Sequence, residues 1–327
     1  MIIGSIKERD TSETRAALTP IVVQKLVAMG HTVVLEKHIG KLSGYTDSEY
    51  IKSGTQILNS AQEVYSKAQI ILQILPPPPS LTKNLTSKQI LIADFNEITS
   101  SKYSTKAKIL RLERVPRTSV AQSIDILSSQ STVRGYMGAL YALYHAERIA
   151  PQIMTAAASL KAASALVVGA SLTGLQASSY LKKAGCRVTL SDINPQNKDL
   201  AASVGANFSS ASSFDEITAL LKNKDFIFTA ASTSKKSLSI ITREMFPFIK
   251  PRTVVIDTTA TNIDIKENVS NHHFYFHRNR YFERLAPQTA TELWANNMLH
   301  LLQIISSENH LNLTDNRIIP MLYKGEN

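Results

Sequence analysis

Along this chain, short apolar runs alternate with segments whose apolar residues recur every three or four positions, the signature of strands interleaved with helices. Residues 2–6 read as a buried strand, and Thr19-Pro20 supplies an N-cap and a first-turn proline for a helix that stops at Gly30. A second strand covers 31–36. Ser60 and Glu63 form a capping box for a helix through Lys67, followed by an apolar strand over 70–75 that ends in the stiff turn Pro76 to Pro79. Further strands fit 90–93 and 109–113. The β-α-β-α-β order predicts a mostly parallel sheet.

The second half repeats the theme. Val133, Met137, Leu140 and Tyr144 fall at helical spacing and predict a long amphipathic helix bridging out of the first domain. A strand over 165–169 leads into a helix ending at Gly185 and a return strand over 187–190. Ser213 and Glu216 box a helix before strand 225–230, and Thr242 caps another before strand 253–257. Trp294, Met298, Leu301 and Ile305 make a stripe on a C-terminal helix expected to pack back on the first domain.

Length and composition narrow the class. A chain of 327 residues suits two domains, and 43% hydrophobic with 19% charged residues is ordinary for a globular protein. A single cysteine, Cys186, forms no intrachain disulfide and is expected to be a buried thiol of a reducing compartment. No stretch approaches the roughly 18 apolar residues of a membrane span, and the opening MIIGSIKERD lacks the apolar core of a secretory signal. The net charge of +10 is scattered, with no basic block, so nucleic acid is not an expected partner. His272 and His273 adjoin in a predicted strand, point to opposite faces and make a poor metal pair; no metal site is expected.

Chemistry concentrates in ALVVGASLTGLQASSYLKKAG. Gly169, Ser171 and Gly174 occupy the three glycine positions of a dinucleotide fingerprint between a strand and a helix, whose first amides and positive dipole end suit a diphosphate. Asp192, some 23 residues after Gly169, ends the next strand, where a carboxylate accepts ribose hydroxyls and repels a 2′-phosphate. NAD(H) is therefore the expected cofactor. Ala170 and Leu172 within the turn and Ala230 at the end of a later strand complete the expected cofactor contacts. Ser171 places a β-carbon where the pattern wants none. The fold class is α/β: two Rossmann-like domains with parallel sheets joined by long helices. One domain comprises 1–130 plus 290–327, of catalytic type; the other, 131–289, binds NAD.

Two further stretches carry a family likeness. RVPRTSVAQSIDILSSQSTVRGYMGALYA and IMTAAASLKAASALVVGASLTGLQA, with KERDTSETRAALTP near the N-terminus and ITREM leading to VVIDTTA, resemble the NAD(H)-binding alpha subunit of proton-translocating NAD(P) transhydrogenases, relatives of alanine dehydrogenase. The resemblance implies that Arg117, Gln122, Asp125 and Ser128 form the nicotinamide-contacting loop: Gln122 holding the carboxamide, Asp125 stabilising the positive ring, Arg117 orienting that acid or the nearby ribose and phosphate. Hydride transfer between nicotinamides needs no general acid or base, so positioning and electrostatics suffice. An ion pair of Arg117 with Asp125 on the surface is the plainer reading of those two residues. The likeness also implies a homodimer, separate NADP(H)-binding and membrane-spanning partner subunits, and a cytoplasmic location, peripheral on the inner (coupling) membrane.

The chain departs from that family at points that matter for function. Besides Ser171, the stretch between Asn207 and Phe226 is short and lacks a Tyr-bearing loop that closes over nucleotide; STSKK replaces a Pro-Gly pair, and a Gly-Gly-Asn after VVIDTTA is absent. An NAD(H)-binding subunit that has lost turnover is thus one alternative. An alanine dehydrogenase is another, since Arg15 sits where the resemblance puts the substrate-carboxylate arginine; Leu75 stands where its catalytic lysine belongs, and ADFNEI offers no histidine. Tyr136, Tyr141 and Tyr144 read as packing residues or part of a dimer contact.

Overall fold

The computed structural model describes residues 1–95, 103, 105–231, 239–259, 261–265, 267–270, 274–307 and 310–323. The chain divides into two compact units, Met1–Gln130 with Ala286–Asn327, and Ser131–Leu285.

In the first unit, strands β1 (Ile2–Ser5), β2 (Thr32–Glu36), β3 (Gln56–Leu58), β4 (Ile70–Leu72), β5 (Ile90–Ala93) and β6 (Lys108–Arg111) alternate with helices α1 (Pro20–Ala28), α2 (Asp47–Lys52), α3 (Ala61–Lys67) and α4 (Pro79–Thr82). The sheet is parallel throughout, in the order β3-β2-β1-β4-β5-β6. Its strand order therefore reverses between β1 and β4, the position at which open α/β sheets form a crevice. One face packs on α1 and the C-terminal helix Pro287–Ile305, with Trp294, Met298, Leu301 and Ile305 in the same core as Ile3, Leu35 and Leu72. The other face packs on Val64 and Tyr65 of α3.

Several local readings need correction. Helix α2, capped by a reciprocal Thr46–Glu49 box, and the short strand β3 were not anticipated; the three residues of β3 are too few to show a period. At α3 the box is half made: the Ser60 hydroxyl accepts from Glu63 N but also donates to the Glu63 carboxylate, which leaves the cap's own amide alone. Strand β4 stops at Leu72, not Leu75, because the amides of Ile74 and Leu75 turn to the Glu8 carboxylate at 2.8 and 3.2 Å.

The second unit holds a small hairpin, β7 (Ile153–Met154) with β8 (Ser159–Leu160), and then β9 (Ser164–Val168), β10 (Arg187–Ser191), β11 (Asn207–Ser209), β12 (Phe226–Thr229), β13 (Thr253–Asp257), β14 (Val269–Ser270) and β15 (Phe274–Arg278). The sheet runs β11-β10-β9-β12-β13-β15-β14, parallel except for β14 at the edge. Helix α5 (Ile126–Tyr144) continues in sequence from the first unit into the second, and α6 (Leu172–Lys183), α7 (Lys198–Ser203) and α8 (Phe214–Leu221) follow. The segment after Thr242 is a six-residue 3-10 helix whose threonine makes no side-chain cap.

The buried face of α5 differs from the expected stripe. Leu140 is 39% and Tyr144 82% exposed. Val133 is buried as expected, and Gly135, Gly138, Ala139 and Ala142 face inward with it. Small residues win because the helix packs too close for larger ones: a β-carbon on Gly135 would sit 2.5 Å from the Thr173 carbonyl oxygen, and one on Gly138 2.7 Å from the Phe228 ring.

Candidate nucleotide-binding site

The turn between β9 and α6 takes its shape from two glycines. Gly169 has φ +103°, and a β-carbon there would lie 2.4 Å from the Ala231 N and Cα. On Gly174 it would lie 2.0 Å from the Gly169 carbonyl oxygen, so α6 approaches β9 closer than any side chain allows. Ser171 is the N-cap of α6: its hydroxyl accepts from Gly174 N at 3.3 Å and donates to the Ala230 carbonyl at 2.7 Å. The serine thus supplies a helix cap that a glycine could not.

Backbone accounting shows what this turn leaves open. Gly169 N donates to the Ser191 carbonyl, Ala170 N to the Asp192 carboxylate at 2.7 Å, and Leu175 N to the Ser171 carbonyl. The amides of Ser171, Leu172 and Thr173 have no partner among the described residues. They are donors of a helix N-terminus, backed by the positive end of its dipole, and suit an anion such as a diphosphate.

A cavity of about 440 Å³ opens beside them, within the range of small-ligand sites. Gly169, Ala170, Ser171 and Asp192 line it together; Leu172, Gly174 and Ala230 are not among the lining residues. Ile217 and Leu220 of α8, with Ile193, Ala211 and Ile240, add an apolar slot of the kind a flat base fills, which sequence reading missed. The visible signal was the box-capped, amphipathic α8. Asp192 is the one charged residue among the described lining, and besides Ala170 N it accepts Asn194 N at 2.9 Å. Helix-start donors, an apolar slot and a lone carboxylate are groups suited to the adenosine diphosphate half of a nicotinamide nucleotide.

The loop carrying Arg117, Gln122, Asp125 and Ser128 belongs to the first unit. Arg117 and Gln122 are exposed, Gln122 on the 3-10 turn Ser119–Ile124, and no ion pair joins Arg117 to Asp125. Asp125 is buried and caps α5: one oxygen accepts Leu127 N at 2.9 Å and Ser128 N at 3.1 Å, the other the Ser128 hydroxyl at 2.5 Å. Asn297 of the C-terminal helix, a residue sequence reading overlooked, holds the loop from behind: its amide donates to the Ser123 carbonyl and accepts the Ser129 hydroxyl, both at 2.7 Å. A contact 168 positions apart in sequence leaves no local trace.

A second polar cluster sits at the carboxyl end of β1. Arg15, buried, grips Glu13 with Nε and Nη2 at 2.7 Å and gives Nη1 to Gln130 at 2.9 Å. Loss of solvation lifts the Glu8 carboxyl to about 8, with the Glu13 charge adding to the rise against the Ile74 and Leu75 amides. The folded chain binds this proton more tightly than the unfolded chain, so the stability it carries is complete below the ordinary 4.5 and drains away as pH climbs towards 8. Glu8→Gln should flatten that decline: thermal melts across the window should fall less than wild type, and parallel curves would refute the assignment.

The remaining candidates are structural. Cys186 is buried, and burial pushes its thiol up to about 11. Tyr141 packs inside the second unit, its hydroxyl 3.1 Å from that of Tyr275, whereas Tyr136 is 37% exposed. His272, His273, the STSKK segment and Asn96–Glu97 lie outside the described residues. Among the described residues no metal-ligand cluster occurs, and no helix is long and apolar enough to cross a membrane.

Parallel α/β units with a phosphate turn at a strand-to-helix junction define a dinucleotide-binding type of protein. Residues 4–134 match the alanine dehydrogenase/PNT N-terminal domain and residues 138–324 the C-terminal domain of the same family. The chain belongs to the alanine dehydrogenase/PNT family. It is 28% identical to the first portion of the NAD(P) transhydrogenase alpha subunit of Rickettsia prowazekii, over 98% of this chain and 94% of that one. To the protein of the same description from Rhodospirillum rubrum it is 30% identical, over 79% of this chain and 76% of that one. A transhydrogenase structure from Sinorhizobium meliloti superposes with a TM-score of 0.85 at 28% identity, covering 93% of each chain. Family membership implies nicotinamide-nucleotide binding and an oxidoreductase ancestry.

Proposed function

We propose that this chain is the NAD(H)-binding alpha-type subunit of an NAD(P) transhydrogenase, passing hydride between NAD(H) and NADP(H) held by a partner subunit. The observation that carries the reading is a helix start with three amides unpartnered among the described residues, beside a cavity that Ser171 lines and whose single charged lining residue among those described is Asp192. Among the described lining residues a 2′-phosphate would meet a carboxylate and no basic side chain, which favours NAD(H).

Bound nicotinamide nucleotide supplies the carbon that gives or takes hydride; everything else falls to side chains and amides of this chain. The amides of Ser171, Leu172 and Thr173 hold diphosphate, Asp192 takes the ribose hydroxyls, and the slot of Ile217 and Leu220 holds adenine. Gln122 orients the carboxamide, Arg117 steers the neighbouring ribose and phosphate, and Asp125 stabilises positive charge on the ring from a position fixed by its capping bonds and by Ser128.

The membrane-spanning and NADP(H)-binding functions reside on partner subunits, with this chain peripheral on the cytoplasmic face of the coupling membrane. We assign it a homodimeric state. The hairpin β7–β8 is a pair of two-residue strands, marginal alone in water, with Met154 77% and Leu160 51% exposed. Tyr136, Leu140 and Tyr144 add one exposed face of α5. A second copy supplies cover for both. Sedimentation equilibrium should return twice the chain mass, and Met154→Asp should return one.

Alanine dehydrogenase chemistry fits less well. The Arg15 guanidinium is committed to Glu13 and Gln130, and Leu75 brings no amine to manage protons. Mixing the chain with an NADP(H)-binding domain from a full-length relative and following reduction of an NAD analogue should give transfer, with no turnover of alanine or pyruvate. Tight nucleotide binding without transfer would identify an idle binding subunit instead; oxidation of alanine would identify the dehydrogenase.

A further inference from the structure

Asn262 lies outside the dinucleotide fingerprint and does not line the cavity, yet it holds two of the residues that do. It is 0% exposed. Its side-chain oxygen accepts Ala231 N at 3.0 Å, and its main-chain carbonyl accepts Ile240 N at 2.8 Å and Ile241 N at 2.9 Å. Ala231 and Ile240 both line the crevice. One residue thus pins the wall at the exit of β12 and the wall where the chain re-enters, the latter continued by the bridge between Ile241 and Ile263.

The exit of β12 is gripped from the other side as well. Ala230 N donates to Val168 O, the Ala230 carbonyl takes the Ser171 hydroxyl at 2.7 Å, and Ala231 abuts Gly169 so closely that a β-carbon there would overlap it at 2.4 Å. Ala230 and Ala231 are therefore held between the phosphate turn and Asn262. Any shift of Ala231 presses on the turn whose amides serve the anion. Two polar side chains, Ser171 through its hydroxyl and Asn262 through its amide oxygen, fix the spacing of the crevice before a nucleotide arrives, and pre-organisation of this kind appears as affinity.

We infer that Asn262 is a positioning residue for nucleotide binding, acting through Ala231 and Ile240 on the adenosine diphosphate half of the site. This rests on the nucleotide-binding reading above. The Ala231 bond is the only one of the three that needs the side chain, so Asn262→Ala removes it and spares the two main-chain bonds. The consequence is read as affinity in the folded protein.

The experiment is calorimetry of wild type, Asn262→Ala and Val255→Ala with NADH and with ADP-ribose, alongside thermal melts. Val255, 1% exposed on β13 and not itself among the residues lining the crevice, supplies a control that weakens the core behind it. Asn262→Ala is expected to weaken both ligands about tenfold, while Val255→Ala, at a comparable loss of melting temperature, stays within about twofold of wild type. Equal affinities in Asn262→Ala and wild type would overturn the inference, as would equal weakening in both variants, which would reduce Asn262 to a general stabiliser. An effect on NADH without one on ADP-ribose would overturn the assignment to the diphosphate half. Failure of wild type to bind either ligand would instead remove the nucleotide reading itself.

Discussion

Gly174→Ala is expected to abolish measurable nucleotide binding, weakening it by at least about 100-fold, and to cost about 2–3 kcal/mol of stability. The added β-carbon would lie 2.0 Å from the Gly169 carbonyl oxygen and 3.4 Å from Val167 Cγ1, so it meets backbone, which cannot rotate aside. Relief requires α6 to back away from β9, and the amides of Ser171, Leu172 and Thr173 move with it. Gly205→Ala separates this from backbone strain. Gly205 has a positive φ, +71°, which Gly174 does not, but a β-carbon there meets only the Lys182 side chain at 3.5 Å, so about 1 kcal/mol of stability should go and affinity should stay. Calorimetry on protein that remains folded, with urea unfolding for stability, checks both.

Asp125→Asn is expected to slow hydride transfer about 10- to 100-fold while leaving nucleotide affinity and stability nearly unchanged. Asparagine caps helices about as well as aspartate, so the bonds to the Leu127 and Ser128 amides survive; the charge is lost, and the contact with the Ser128 hydroxyl turns round, the amide nitrogen donating to its oxygen. Asp125→Ala removes both and should add a stability loss of about 1 kcal/mol. Single-turnover kinetics at saturating nucleotide, paired with melts of both variants, separates the roles. A full transfer rate in Asp125→Asn would leave the residue a helix cap and nothing more.

What could be read from sequence follows the range of the interactions involved. The glycine turn between β9 and α6 was legible because strand, turn, helix and following acid are consecutive, and each residue type has a local reason for its place. The Ser213–Glu216 box and the Trp294 stripe were legible on the same ground. The buried side of α5 was not, because the residues that decide it are glycines and alanines chosen for close approach to Thr173 and Phe228, and small residues carry no hydrophobic signal. Asn262 and Asn297 were invisible for a related reason: each serves segments 31 and 168 positions away, respectively, in Ala231 and Ser129. Asp125 was noticed for its charge and turned out to be a cap as well, a role its position just before Ile126 would have suggested had the start of α5 been placed there instead of at Val133.

The serine at the second fingerprint position has a similar lesson. Taken alone, a β-carbon there reads as a defect in a site that wants glycine. In the folded chain Ser171 closes the first turn of α6 and fastens it to Ala230, exchanging closeness of approach for rigidity.

The central claim is that helix-terminal amides hold a diphosphate while Asp192 selects an unphosphorylated ribose. Titration calorimetry of the purified chain with NADH and NADPH, repeated on Asp192→Ala, tests it most directly. The account predicts saturable NADH binding, NADPH weaker by at least about tenfold, and a gap that narrows in the variant. Equal affinity for the two nucleotides in wild type, or no uptake of either, would contradict it.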